Sequence, residues 1–143
     1  MKLNPFRVAV HYHHLLLKGK VHITSAAPNN ETYPKGFRPF LHVKVDKPQA
    51  DSPVRLLVKF KVDKLNLWHR KIMPMLGIPF FAGAPGFMEK VFLLNETENT
   101  FSGFYTWRSD QDAETYINSY PAKVMAFNAS PNTLTMEITS IRE

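Results

Sequence analysis

Cysteine is absent from the 143 residues, which excludes disulfide scaffolds, thiolate zinc sites, iron–sulfur clusters and cysteine nucleophiles together. No internal repeat or low-complexity tract is present. Long uninterrupted apolar runs are missing as well. The stretch Ile72 to Met88 carries no charge, but Pro74, Pro79, Pro85 and three glycines break it, whereas a spanning helix needs about 20 apolar residues in succession. It reads as a loop or lid. The N-terminal stretch lacks the apolar core and small-residue cleavage site of a secretory signal, so a cytoplasmic protein is expected.

What is present suits one domain. The chain is 44% hydrophobic, 13% aromatic and 21% charged, within the usual range for a single core of about 100–150 residues. The net charge of +6 is unevenly placed: residues 1–90 sum to +10 and residues 91–143 to −4. Such asymmetry can mark a nucleic-acid or anionic-lipid surface. No recognition signature accompanies it, so no nucleic-acid partner is expected. Phe80 and Phe81, next to the basic face, are candidates for a peripheral membrane contact.

Residues 6–25 read as a β-hairpin, because Phe6, Val8, Val10 and Tyr12 alternate before the turn Lys18-Gly19-Lys20. Leu41 to Val45 is a short strand pattern, and a Pro-punctuated linker places a boundary near residue 52. The expected organisation is therefore a β extension over 1–52 and a domain over 53–143. Leu56, Val58, Phe60 and Val62 alternate as a half-buried strand. Asp63 is then the expected N-cap of a helix that turns Leu65, Trp68, His69, Ile72 and Leu76 inward and is kinked or ended at Pro74. Phe87–Leu94 and Phe101–Trp107 form an aromatic hairpin about a polar turn. Ser109 and Asp112 start a second helix with the stripe Ala113, Tyr116, Ile117 and Tyr120, restarted at Pro121, and Thr133–Ile141 is the last strand. The order is the ferredoxin-like βαββαβ of an α+β protein, with both helices on one face of an antiparallel sheet.

The run Pro85-Gly86-Phe87-Met88-Glu89-Lys90, followed by Ser102-Gly103-Phe104-Tyr105-Thr106-Trp107 and the capped helix, resembles the small monooxygenases of the dimeric α+β-barrel superfamily. The resemblance covers residues 54–141 and leaves residues 1–52 as a departure. It implies a homodimer in which two sheets cover each other's open faces, and a pocket for a small hydrophobic or aromatic substrate. Dehydrating, cyclising, haem-degrading and regulatory relatives on the same scaffold leave the chemistry open.

Candidate catalytic residues are His69, Tyr105 and Lys90. His69 is the expected general base, Tyr105 a phenol that orients substrate, and Lys90 a cation that neutralises an enolate or superoxide. Trp68, Ile72, Phe80, Phe81, Phe87 and Trp107 are the candidate substrate-binding residues, with Tyr105 and Trp107 sharing one strand face for stacking. The expected reaction is a cofactor-independent oxygenation of an anthrone-, quinol- or polyketide-like substrate. Haem held by an axial His is a variant not favoured. A lyase, cyclase or dehydratase using the same pocket, or a non-catalytic ligand- or membrane-binding protein, are the alternatives. His11 and His13 would share one strand face at the spacing of a two-His metal pair, but no acidic residue lies nearby to complete a site. No metal is expected.

Overall fold

The computed structural model describes residues 4–25, 32–47, 50–119, 122–123 and 129–141. Its elements in chain order are α1 (Pro5–Leu17), β1 (Val21–Thr24), β2 (Arg38–Val45), β3 (Val54–Lys61), a π-helical turn (Trp68–Ile72), α2 (Met73–Ala82), β4 (Phe87–Asn95), β5 (Thr100–Trp107), α3 (Asp110–Ile117) and β6 (Thr135–Ser140).

The strands form one antiparallel sheet in the order β1-β2-β4-β5-β3-β6. The last four strands of this row, β4-β5-β3-β6, are the ferredoxin-like unit. Strands β3 and β4 are parallel to each other across β5, and α2 makes the crossover between them. β5 and β6 are related in the same way across β3 by the segment that contains α3. β2 then pairs along β4 with a bulge between Pro39 and Leu41, and β1 closes the row. The N-terminal residues thus protect what would be an open edge at β4.

The expected hairpin over 6–25 is instead a helix followed by a strand. Asn4 caps α1, its side chain accepting from the Phe6 and Arg7 amides at 2.9 and 3.4 Å, and Pro5 occupies the first turn, where no amide is needed. Val8, Tyr12 and Leu15 are buried at helical spacing. Lys18-Gly19-Lys20 is the helix's exit, with Gly19 at φ +70° and the Lys20 amide donating to the Leu15 carbonyl. Packing decides between the two periods. Gly83 meets α1 so closely that a Cβ there would lie 2.0 Å from the Val8 carbonyl oxygen, and His11 Nδ1 donates to the Gly83 carbonyl at 3.0 Å. On a helix His11 and His13 point about 200° apart, so the two-His spacing read from a strand is lost.

The supposed loop over 72–88 is also largely helical. Pro74 lies in the first turn of α2, and burial of Ile78, Phe81 and Ala82 offsets the roughly 3 kcal/mol that Pro79 costs inside a helix. The inward stripe differs from the expected one. Trp68, Ile72 and Leu76 are partly exposed, and Pro74, Ile78, Phe81 and Ala82 face the sheet. A π-helical turn winds an extra residue into each hydrogen-bonded ring, so the phase read from Leu65 is lost before α2 begins. Asn66, not Asp63, serves the first turn, accepting from the His69 amide at 3.0 Å, while Asp63 accepts from the Ser130 hydroxyl.

The start of α3 is as expected: Ser109 Oγ accepts from the Asp112 amide at 3.2 Å and donates to the Asp112 carboxylate at 3.0 Å. Ala113 and Tyr116 are buried; Tyr120 and Pro121 lie outside the described residues. The core between sheet and helices is dominated by rings, with Phe40, Phe60, Phe92 and Phe101 in a chain of contacts at 5.7–6.2 Å.

Candidate functional site

Between the sheet and α2 lies a cavity of about 450 Å³. Strand alternation supplies its floor: Val58 and Phe60 from β3, Lys90 and Phe92 from β4, and Phe101, Gly103 and Tyr105 from β5 all project to the helix side. Met73, Pro74, Gly77, Phe80 and Phe81 roof it, and Tyr116 reaches in from α3. Pro5, Trp68 and Leu76 form its rim, since each lines the cavity and also meets solvent.

Among the described residues, one basic side chain stands in this apolar lining. Lys90 is buried, and its Nζ lies 3.8, 4.4 and 4.7 Å from the ring centroids of Phe92, Tyr105 and Phe81. Among the described residues no carboxylate pairs with it. Nζ donates to the Tyr105 hydroxyl at 2.8 Å, and the Tyr105 and Tyr116 hydroxyls are 3.3 Å apart. The Lys90 stem fits because position 103 is glycine: a Cβ there would lie 3.0 Å from Lys90 Cε and 3.1 Å from Tyr105 Cε1.

Magnitudes indicate which protonation state the site favours. A ring face returns about 0.5–2 kcal/mol to an ammonium, while removing that ammonium from water costs several kcal/mol. Desolvation prevails and holds the Lys90 ammonium well below the usual 10.5 of lysine. Burial, reinforced by the neighbouring Tyr116, pushes the Tyr105 phenol well above its ordinary range, and burial pushes Tyr116 up to about 12. The three groups form a relay of an amine that sheds its proton readily and two phenols that keep theirs.

Of the residues singled out from sequence, Lys90, Tyr105, Trp68, Phe80 and Phe81 meet at the cavity. Phe81 is buried and Phe80 is half-buried on the cavity wall. His69, Ile72, Phe87 and Trp107 do not line it. His69 is half-buried on the π-helical turn, and its Nδ1 is buried without a hydrogen-bond partner. Trp107 and Phe87 are fully buried behind the wall, Trp107 stacking on Tyr105 at 6.1 Å and lying 5.1 Å from Tyr116. No histidine lines the cavity, so an axial histidine for haem is not supplied there. No cluster of three His, Asp or Glu suitable for a metal occurs among the described residues.

Tyr116 and Gly103 acquire roles that sequence reading gave them only in outline. Tyr116 reads simply as part of an apolar stripe, although a tyrosine there must find a partner for its hydroxyl when buried. Gly103 is legible: a glycine inside an aromatic strand marks a close approach.

Fold and cavity together define a ferredoxin-like α+β protein whose helix-covered sheet face encloses an aromatic-walled cavity. The same fold occurs in a ferredoxin-fold protein from Listeria monocytogenes related to antibiotic biosynthesis monooxygenases, with a TM-score of 0.53 and 11% identity over 86% of this chain and 94% of that chain. An anthrone oxidase-like protein aligns with a TM-score of 0.44 and 13% identity over 72% of this chain and 59% of that chain. No protein-family model and no curated protein matches the sequence.

Proposed function

We propose that this protein is a cytoplasmic, homodimeric enzyme that oxygenates a hydrophobic aromatic substrate of anthrone, quinol or polyketide type without a cofactor, with Lys90 as the base. The observation that carries this reading is the Lys90 amine, buried in an aromatic cavity without a counter-ion among the described residues and hydrogen-bonded to Tyr105. A surface lysine is a poor base near neutrality, whereas desolvation brings an amine toward the useful range. The amine takes a proton from the acidic C–H of the substrate, and the carbanion is then stabilised beside the new ammonium in a medium of low polarity. The carbanion passes one electron to dioxygen. Recombination of radical and superoxide forms the C–O bond, and the peroxide, protonated from Lys90, loses water to leave a ketone. A CH2 group and O2 become C=O and H2O, and Lys90 ends as it began.

Tyr105 holds Nζ in place and offers its hydroxyl to the substrate oxygen; Tyr116 fixes the orientation of that hydroxyl. Leu57 and Phe104, half-buried on the sheet face opposite the helices, suit pairing with a second copy. The reaction is tested with an oxygen electrode and an anthrone. The proposal expects equimolar uptake of oxygen and formation of ketone, lost in Lys90→Met. Turnover that proceeds equally without oxygen would assign the site to a lyase or cyclase instead. Tight binding with no turnover would make it a carrier.

A further inference from the structure

We infer that the two helices α1 and α2 form a docking surface for an anionic lipid bilayer, which brings the rim of the cavity against the membrane. The inference is independent of the reaction assigned to the cavity. An amphipathic surface helix turns its apolar stripe inward and its polar side out. Neither helix obeys this. α1 buries Val8, Tyr12 and Leu15, yet Phe6, Val10 and Leu17 recur on the opposite side and are 78%, 55% and 88% exposed. α2 has no charged side chain at all; Met75 and Leu76 on it, and Leu67 and Trp68 just before it, are 50%, 56%, 62% and 42% exposed. These helices pack on each other through the close contact of Gly83 with Val8. Pro5 at the start of α1, with Trp68 and Leu76, rims the cavity. Apolar surface of this extent beside a ligand entrance marks an interaction site.

Charge selects the occupant. Residues 4–25 and 64–88, which contain both helices, hold no aspartate or glutamate. Arg7, Lys18, Lys20, Lys64 and Lys71 are exposed and have no carboxylate partner among the described residues. Arg70 is the exception, paired with Glu96 at 3.1 Å. Exposed aliphatic and aromatic side chains surrounded by unpaired cations fit a bilayer carrying negative headgroups, where the rings and aliphatic groups enter the interface and the amines stay at the phosphates. The last 53 residues of the chain, from 91 onward, are net negative and contribute neither helix. No helix among the described residues is long and apolar enough to cross a membrane, so the contact is peripheral. An apolar substrate dissolved in the bilayer would then enter the cavity past Trp68 and Leu76 without crossing water.

The test is sedimentation with vesicles of phosphatidylcholine alone and of phosphatidylcholine mixed with phosphatidylglycerol, read together with tryptophan emission. Trp107 is fully buried, so a shift of emission to the blue reports Trp68. Expected are co-sedimentation with the mixed vesicles only, a blue shift on binding, and release by salt. Phe6→Glu and Met75→Glu, at exposed positions outside the cavity, should each weaken binding at least tenfold while thermal melts stay as in the wild type. Equal binding to both vesicle types, binding indifferent to salt, or unchanged binding of both variants would overturn the inference. So would a dimer that becomes a monomer in Phe6→Glu without any vesicle binding by the wild type, since the face would then belong to a second copy.

Discussion

Strand β4 carries two charged residues in succession, and the two faces of the sheet treat them in opposite ways. Glu89 projects to the open face, where His42 Nε2 lies 2.7 Å from its carboxylate. Lys90 projects to the helix side and meets aromatic rings and a phenol, without a counter-ion among the described residues. The paired carboxylate belongs to the architecture: it ties β2 to β4 at the edge that the N-terminal strands protect. An unpaired buried amine gives the fold nothing that a methionine would not give better. On the proposed function its presence is intelligible as reactivity, and the contrast would then separate a stabilising charge from a working one.

The comparison breaks most sharply at Lys90. Replacing it by Met should reduce turnover by about 100-fold or more, as expected for loss of a general base, while urea unfolding shows no loss of stability. A variant that unfolds easily would place Lys90 among the structural groups. The pH dependence of stability sharpens the same point. Because the Lys90 pKa is lowered in the fold, the unfolded chain holds more protons between that value and about 10.4. Stability should therefore climb with pH through this window. Above about 10 the raised pKa values of Tyr105 and Tyr116 act in the reverse sense, since the unfolded phenols ionise first, and stability should fall. Chemical denaturation across pH reads both limbs, and only the rising one should flatten in Lys90→Met.

Tyr105→Phe removes the hydroxyl that positions Nζ, and a drop of about tenfold in kcat with a smaller change in KM is expected. On the other face, His42→Ala should cost about 1 kcal/mol in stability and leave turnover alone. The smallest effect is expected at His69: outside the cavity lining, its change to Ala should keep turnover within about twofold. A large loss there would restore the histidine to the mechanism and weaken the case for Lys90.

The ferredoxin-like unit is legible in sequence because its signals are local. Leu56, Val58 and Phe60 alternate without interruption, and Ser109 with Asp112 caps a helix by chemistry confined to one turn. α1 is hidden because Phe6, Val8, Val10 and Tyr12 alternate with a period of two, while on the helix Val8 and Tyr12 are buried and Phe6 and Val10 lie on the opposite, exposed side. What settles it is a contact from far along the chain, the backbone of Gly83 against Val8. α2 is hidden by its prolines, which local rules read as breaks and which tertiary burial overrides. The site is legible in part. Lys90, Tyr105 and Gly103 stand out in an aromatic strand pair, whose register brings Lys90 opposite Tyr105. That no carboxylate among the described residues reaches Lys90 depends on the packing of every neighbouring element, and no spacing rule contains it. His69 misleads because the π-helical turn breaks the periodicity on which its inward placement rests.

The most direct test of the account is an NMR titration of Lys90 Nζ and Cε in protein labelled at lysine, assigned by difference against Lys90→Met. The account predicts one lysine titrating well below the usual 10.5, with its midpoint moving further when an aromatic ligand fills the cavity. A Lys90 that titrates with the surface lysines would contradict it, and the amine would then be a structural cation and not a base.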